Sequence, residues 1–303
     1  MVRRGLVVLG ACLAPSAALA HAGEAHAAEG LGRAFSFDLY VVLPMLLAAL
    51  IYGAGVARLW GRAGRGRGVE TWRAGCFAGA MLALSLALIW PFDVLGGMFL
   101  SAHMAQHLLL TTAAAPLLVL SAPLTAALWA LPLAARRAAG GIANAAGVRQ
   151  GWRYLTLPLF AWAFYATSLW VWHMPRFYEA AAGDELVHML EHLSFLASAL
   201  VLWWAALLSA RTSALGAAAG IFLLFTTGLQ DGLLGALLTF APRPLYASYA
   251  EFGHLLGIDA LADQQLAGII MWIFGGFIYL GAALTLASRV LLAPDRDSPP
   301  LGA

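Results

Sequence analysis

The sequence has almost no cysteine. Of its two cysteines, Cys12 lies in an N-terminal leader and Cys76 near the start of an apolar stretch. This scarcity excludes a disulfide framework and any Cys-x-x-Cys metal or redox motif. A soft metal ion would therefore have to take its ligands from histidine and methionine.

Charge is also scarce. Only 11% of the residues are charged and 62% are hydrophobic, whereas a typical soluble domain is about 25% charged. So few polar side chains cannot cover the surface of a water-soluble fold of this length. The net charge of +2 is too small to indicate a nucleic-acid partner. What remains is a single membrane domain in contact with lipid.

Seven apolar stretches are each long enough to cross a membrane, which takes about 20 helical residues. They are Leu39–Leu59, Arg73–Phe92, Met98–Leu120, Leu155–Met174, Asp184–Ser209, Ala214–Phe240 and Gln264–Val290. Pro44, Pro116 and Pro158 fall inside these stretches, where each removes a backbone donor and bends its helix. The sequence therefore predicts an all-α membrane protein, with a bundle of seven transmembrane helices over residues 37–292.

The first twenty residues are typical of a secretory signal peptide. Arg3 and Arg4 form a basic start, Leu6 to Leu13 an apolar core, and Ala18-Leu19-Ala20 a small-residue cleavage site. The alternative is an uncleaved first helix. Cleavage would leave a short extracytoplasmic segment over residues 21–36.

Arginines are concentrated at alternate connections and at the C-terminal end. They are Arg58, Arg62, Arg65, Arg67, Arg73, Arg136, Arg137, Arg149, Arg153, Arg211, Arg289 and Arg296. Because cytoplasmic loops carry an excess of basic residues, we expect these connections to lie in the cytoplasm. The mature N-terminus is then outside, and the C-terminus, with a disordered tail over residues 293–303, is inside. These features predict a multi-pass protein of the bacterial plasma membrane.

Histidines gather toward the outer side of this topology. His103 and His107 lie near the start of the third stretch, and His188 and His192 near the start of the fifth. Residues four apart lie on one helix face, so two imidazoles can converge on one ion. Both helices run from outside to inside, which places the two pairs at similar depth. Together with His173, which ends the fourth stretch, these residues are the predicted metal ligands.

Methionines accompany these histidines. Met104 follows His103, Met189 follows His188, and Met174 follows His173. Imidazole suits several metals whereas thioether selects copper(I), so His-Met pairs without cysteine favour copper, as copper(I) or copper(II). Neighbouring residues diverge by about 100° on a helix, so the methionines are auxiliary ligands at most.

Further polar residues complete the predicted site. His21 and His26 lie in the N-terminal segment, where cleavage before His21 would expose an amine and an imidazole able to chelate copper(II); a flexible polar tail is the alternative. His254, in the last outer loop, is another auxiliary candidate. Acids and amides can orient the imidazoles. Asp93, Glu191 and Asp263 lie at or near outer helix ends, whereas Asp231, beside Gln230, lies about nine residues before the outer end of the sixth stretch, at a depth similar to that of His107 and His192.

Several longer motifs extend over nearly the whole chain after the signal peptide. They are Ser101-Ala-His103-Met104-Ala-Gln106-His107 and Ala115-Pro116, His188-x-x-Glu191-His192 with Trp203-Trp204, and Pro244-Leu-Tyr246 and Asp263-Gln264-Gln265 with Met271-Trp272. In these motifs the chain resembles the CtaG family of multi-pass cytochrome c oxidase assembly factors. The resemblance implies a helical bundle that helps form active oxidase and helps load copper into its catalytic subunit. It does not identify the copper ligands, which rest on the spacing argument.

The favoured hypothesis is a non-enzymatic assembly factor that binds copper and passes it to an oxidase subunit. Its expected partners are oxidase subunits and extracytoplasmic copper chaperones. A haem-binding redox protein is an alternative, because histidines on facing helices are also axial haem ligands. A copper transporter is a second alternative, although Leu108 to Leu120 and Leu196 to Leu208 offer almost no ligands across the inner half of the membrane.

Overall fold

The computed structural model describes residues 35–209, 214–249 and 259–292. The predictions for the signal peptide, for His21 and His26, for His254 and for the C-terminal tail lie outside these residues. Within them the chain is helical and contains no strand.

The α-helices are numbered here in chain order. They are α1 (Leu39–Ala63), α2 (Thr71–Leu88), α3 (Phe92–Gly96), α4 (Leu100–Leu108), α5 (Ala115–Leu120), α6 (Pro123–Ala130), α7 (Leu133–Asn144), α8 (Ala146–Leu155), α9 (Pro158–Trp172), α10 (Pro175–Gly183), α11 (Glu185–Ser209), α12 (Ala214–Thr239), α13 (Ala260–Ile270) and α14 (Gly276–Leu291). A π-helical segment, Leu109–Ala114, joins α4 to α5, and a second, Met271–Gly275, joins α13 to α14. A 3₁₀ turn spans Ala247–Tyr249.

Six helical stretches of the described chain are long and apolar enough to cross a membrane. They are Leu39–Ala63, Thr71–Gly96, Leu100–Leu120, Glu185–Leu207, Leu215–Thr239 and Ala260–Leu291. A seventh is obtained when α8 and α9, bent by 62°, are counted as one broken span. The expected all-α, multi-pass architecture is therefore confirmed, with six or seven spans.

The fourth span departs from the sequence-based expectation. Pro158 does not interrupt a helix; it opens α9, since proline lacks the N–H that the first turn does not use. Leu157 before it is extended, as residues before proline tend to be. Proline thus separates α8 from α9. The chain between the third and fourth predicted stretches is also helical for most of its length, in α6, α7 and α8.

The π-helical segments follow directly on helices that matter for the site. In the first, the hydroxyls of Thr111 and Thr112 donate to the carbonyls of His107 and Leu108, at 2.9 and 2.7 Å. Trp203 of α11 donates its indole N–H to the carbonyl of Thr111, at 2.8 Å. Wide turns of this kind need alternative partners for their backbone groups and occur often at functional sites. The arrangement links α4 to α11 just below the histidines.

The main core lies where α4, α9, α11, α12, α13 and α14 meet. Its fully buried aromatic side chains include Tyr165, Phe195 and Tyr279. Gly235 of α12 faces Gly268 of α13 so closely that a Cβ at Gly235 would lie 2.7 Å from the Gly268 carbonyl oxygen. Small residues at a helix crossing allow this approach in membrane bundles. The crossing holds α13 beside α4, on which two of the histidines lie.

Candidate metal centre

Four histidines on two helices form one cluster. His103 and His107 lie one turn apart on α4, and His188 and His192 lie one turn apart on α11. Within each pair the ring centroids are 4.2 Å apart. The spacing of four residues that predicted two convergent pairs thus brings both pairs onto facing sides of their helices.

The two pairs meet across the helix interface. The ring centroids of His103 and His188 are 5.4 Å apart, and those of His107 and His192 are 5.2 Å apart. Single nitrogen atoms of His103, His188 and His192 lie within 4.8 Å of one another, which is compatible with one shared ion. The four residues, called here the four-histidine cluster, thus form two layers, with His107 and His192 one turn further along their helices.

Glu191 completes the cluster from α11. Its carboxylate oxygens lie 3.7 Å from Nε2 of His103 and 3.8 Å from Nε2 of His107. Its side chain is only 1% exposed, so the carboxylate belongs to the protein interior. Glu191 was expected to orient imidazoles from outside the ligand set; its position makes it a candidate ligand as well, since it follows His188 by three residues on the same helix face.

The cluster leaves many polar atoms without a hydrogen bond. Nε2 of all four histidines, Nδ1 of His107 and both Glu191 oxygens are buried and have no hydrogen-bond partner. Leaving a buried polar atom unpaired costs about 1–3 kcal/mol, and natural proteins leave few such atoms without a functional reason. A metal ion bound to these lone pairs would satisfy several of them at once. The donor set therefore fits a transition metal.

His173 lies beside the cluster with different neighbours. Its ring is 6.4 Å from that of His107 between centroids. Its Nδ1 is 2.7 Å from the carbonyl oxygen of Leu169, and its Nε2 is 3.4 Å from Sδ of Met104. Met104 is 1% exposed. Thus Met104, the neighbour of His103, turns away from the cluster toward a second helix.

Asp231 lies in the interior beyond His107. Tyr165 donates to its Oδ2 at 3.1 Å, and Tyr279 donates to the hydroxyl of Tyr165 at 3.0 Å. Its Oδ1 and the amide nitrogen of the neighbouring Gln230 are buried without a hydrogen-bond partner. Asp231, His107 and His173 line one small cavity, so the predicted similarity in depth corresponds to a shared space.

Asp263 and Asp93 support α4 rather than the imidazoles. Asp263, on α13, accepts hydrogen bonds from the backbone N–H of Leu100 and of Ser101, at 2.7 and 3.2 Å. Asp93 accepts from the amide of Gln106 at 3.1 Å. Both carboxylates therefore fix the helix that carries His103 and His107.

Three tyrosines close the histidine end of the bundle. The ring of Tyr178 lies 5.4 Å from that of His103, between centroids. Its hydroxyl is 2.8 Å from that of Tyr249, which donates to the carbonyl of Gly96 at 2.9 Å. Burial raises the pKa of the Tyr178 and Tyr249 phenols, which keeps both protonated as donors.

Tyr246 donates to the carbonyl of His173 at 2.9 Å. Of the three, only Tyr246 was singled out in the sequence, because aromatic residues in connections carry no spacing signal.

Two predicted auxiliary ligands are less buried than Met104. The side chain of Met174 is 50% exposed, and Met189 is half-buried. Each follows a histidine in sequence, and the turn of about 100° per residue points it away from the side chain of that histidine.

Comparison with known protein families identifies the family of the chain. The sequence profile of the cytochrome c oxidase caa3 assembly factor family (Caa3_CtaG) matches residues 50–292. The chain belongs to this family. No curated protein and no solved structure matches the chain.

The region shared with the cytochrome c oxidase caa3 assembly factor family contains the whole candidate site. The match begins within α1 and ends one residue after α14. It includes the four-histidine cluster, Glu191, His173 and Asp231, but not His21 or His26. The site therefore belongs to the assembly-factor domain itself.

Proposed function

We propose that this chain binds copper at the four-histidine cluster and Glu191 and assists copper loading of cytochrome c oxidase. Membership in a family of oxidase assembly factors supports cytochrome c oxidase as the protein that receives the copper. The single observation that carries the copper site is the convergence of four imidazoles and one carboxylate whose buried ligand atoms have no hydrogen-bond partner.

The arrangement suits a metal that is received and passed on. Imidazole nitrogens bind both copper(I) and copper(II). His188 is partly accessible, whereas His103 and His107 are buried. Copper can therefore first meet His188 and then engage the deeper imidazoles, while the two layers offer more ligand atoms than one ion uses. An excess of equivalent ligands permits stepwise exchange between them, which a closed four-ligand cage does not.

The proposed orientation places this end of the bundle outside the cytoplasm, in the plasma membrane of a bacterium. The bias of arginines toward the other connections supports it. In this orientation the site faces extracytoplasmic copper chaperones and the copper-containing subunits of the oxidase. A signal peptide before His21, and chelation of copper(II) by His21 and His26, are part of the same proposal.

The test is the copper content of purified protein. We expect the wild-type chain to retain copper after gel filtration, and His107→Ala and His192→Ala to lose the copper of the four-histidine cluster, because each removes a buried ligand atom from a different helix. Gln150→Ala, at an exposed position of α8, is the control for purification and handling. Helicity measured by circular dichroism separates loss of ligand from loss of fold. Unchanged copper in both histidine variants would refute the proposal.

The alternative functions receive less support from the geometry. The cavity that His107 and His173 share has a volume of about 20 Å³, room for about one water-sized particle and not for a macrocycle, which weighs against haem. Transport requires ligands across the full membrane. Among the described residues, both candidate metal groups contain His103 and lie at the histidine end.

A further inference from the structure

A small cavity lies directly beyond the four-histidine cluster. Its volume is about 20 Å³, enough for about one water-sized particle or ion. Its polar and sulfur-bearing lining comes from Met104, His107, Tyr165, His173, Asp231 and Met271. Three helices (α4, α9 with His173 directly after it, and α12) and one π-helical segment contribute these residues, so the cavity is a space between elements and not a local packing defect.

The protonation of His173 follows from its partners. A carbonyl oxygen only accepts hydrogen bonds, so the 2.7 Å contact with Leu169 requires the proton on Nδ1. In the neutral imidazole Nε2 then carries a lone pair. That atom lies 3.4 Å from Sδ of Met104, which has no proton to donate. Two lone-pair donors thus face each other across a gap without a hydrogen between them.

We propose that Nε2 of His173 and Sδ of Met104 are ligands of a second metal site, selective for copper(I). With metal bonds of about 2.0 Å to nitrogen and about 2.3 Å to sulfur, their separation of 3.4 Å corresponds to an angle of about 100–105° at the metal, close to tetrahedral. The thioether selects a soft ion. Met271 lines the same cavity.

Asp231 provides the balancing charge. It contributes the one carboxylate among the described residues that line the cavity, and its Oδ1 has no hydrogen-bond partner. Tyr165 holds the other oxygen at 3.1 Å. A monovalent cation beside one carboxylate makes the cavity neutral overall, and neutrality favours burial in a medium of low dielectric. This favours copper(I) over copper(II).

The second site lies in series with the first. His107 belongs to the four-histidine cluster and also lines the cavity, and its Nδ1 and Nε2 are both without a hydrogen-bond partner. Because a neutral imidazole carries a single nitrogen lone pair, His107 can serve one of the two sites at a time. The inference goes beyond the proposed function, because a chain with only the site at the four-histidine cluster would still bind copper.

Anaerobic titration with copper(I) against a competing chelator tests the second site. We expect about two copper(I) ions per wild-type chain and about one in the double variant His188→Ala, His192→Ala, with copper–sulfur scattering in its X-ray absorption spectrum. Adding Met104→Leu, which keeps the side-chain volume, removes this remaining ion and the sulfur signal. Adding Met81→Leu, a half-buried methionine of another cluster, leaves both unchanged.

The outcomes separate the two proposals. A double variant that binds no copper(I), or binds it without sulfur, refutes the second site while one ion in the wild type still supports the first. Retention of the sulfur signal after Met104→Leu also refutes it. A wild-type chain that binds no copper refutes the proposed function itself. His173→Gln in the His188→Ala, His192→Ala background removes the other proposed ligand, and we expect it to remove the remaining ion as Met104→Leu does.

Discussion

Glu191 contributes the carboxylate that lies beside the four-histidine cluster. Its oxygens face Nε2 of His103 at 3.7 Å and of His107 at 3.8 Å, and its side chain is 1% exposed. A buried carboxylate next to imidazoles stabilises a bound cation, either as a direct ligand or as a charge beside the ligands. The cluster therefore has two separable contributions, nitrogen lone pairs and one negative charge.

Substitution of Glu191 by glutamine removes the charge and keeps the shape. We expect Glu191→Gln to lower the affinity for copper by about 10–100-fold, the usual effect of losing a group that supports metal ligands. Competition with a chromophoric chelator measures it. Glu185→Gln, at an exposed position in the first turn of the same helix, should leave the affinity unchanged. Equal affinities of wild type and Glu191→Gln would show that the carboxylate takes no part.

Much of this residue-scale arrangement can be predicted from spacing alone. The i, i+4 rule placed both histidine pairs on single faces, and parallel helix directions placed them at one depth. Spacing does not show which helix face meets which, so it did not separate His173 and Met104 from the cluster. That separation depends on the tertiary packing of α4 against α9, which no local pattern in the sequence records.

At the scale of elements, the start of α4 is tied to α13 by one side chain. Asp263 accepts hydrogen bonds from two backbone N–H groups at the N-terminal end of α4, at 2.7 Å from Leu100 and 3.2 Å from Ser101. These N–H groups have no partner within their own helix. A carboxylate from a neighbouring helix does here what a capping residue does locally.

Removal of this anchor should weaken both the fold and the metal site. Asp263→Ala leaves two N–H groups unpaired, and we expect a loss of about 1–3 kcal/mol together with weaker copper binding, since α4 carries His103 and His107. Thermal unfolding in detergent measures the first effect and chelator competition the second. Asp259→Ala, exposed and without a capping hydrogen bond, is the control. A variant with wild-type melting temperature would contradict the anchoring role.

The crossing of α12 and α13 depends on Gly235. A Cβ at this position would lie 2.7 Å from the carbonyl oxygen of Gly268 and 2.9 Å from the backbone nitrogen of Trp272. Backbone atoms cannot move as a flexible side chain does, so the helices must separate. We expect Gly235→Ala to destabilise the bundle by about 1–3 kcal/mol, the usual cost of overpacking.

The control for this prediction is Gly281→Ala on α14, where a Cβ meets nothing within 4 Å. Alanine is the better helix former, so this variant should melt at the wild-type temperature or above it. Similar melting temperatures for the two variants would contradict the assignment of Gly235 to a close crossing.

The elements themselves were predictable to the extent that hydrophobicity controls them. Six apolar stretches correspond to continuous helical spans because length and apolar content suffice to specify a membrane helix. The fourth stretch does not form one continuous helix, because Pro158 begins α9 after α8 has ended. Whether a proline bends a helix or begins a new one depends on the structure of the chain before it. The π-helical segments were also beyond prediction, because they depend on partners such as Trp203, which lies far away in sequence.

At the scale of the whole molecule, the two ends of the bundle differ in chemistry. The histidines, the tyrosines of the closing layer and the buried acids lie toward one end, whereas most arginines lie in connections at the other. Family membership covers residues 50–292 and so both ends. If copper is supplied from outside the cytoplasm, as proposed, the histidine end must face outward. The orientation of the bundle in the membrane therefore tests the proposed direction of copper supply.

Chemical labelling of single cysteines determines this orientation. In a background with Cys76→Ala, cysteine is introduced at Arg67, in the connection after α1, or at Ala182, near the end of α10; both positions are exposed. Because basic connections stay in the cytoplasm, we expect a membrane-impermeant maleimide to label Ala182→Cys on intact cells. Arg67→Cys should react only after lysis, which also serves as the control for its reactivity. The reverse pattern would place the four-histidine cluster toward the cytoplasm, where an extracytoplasmic copper donor cannot reach it, and would overturn the proposed direction of copper supply while leaving the metal site intact.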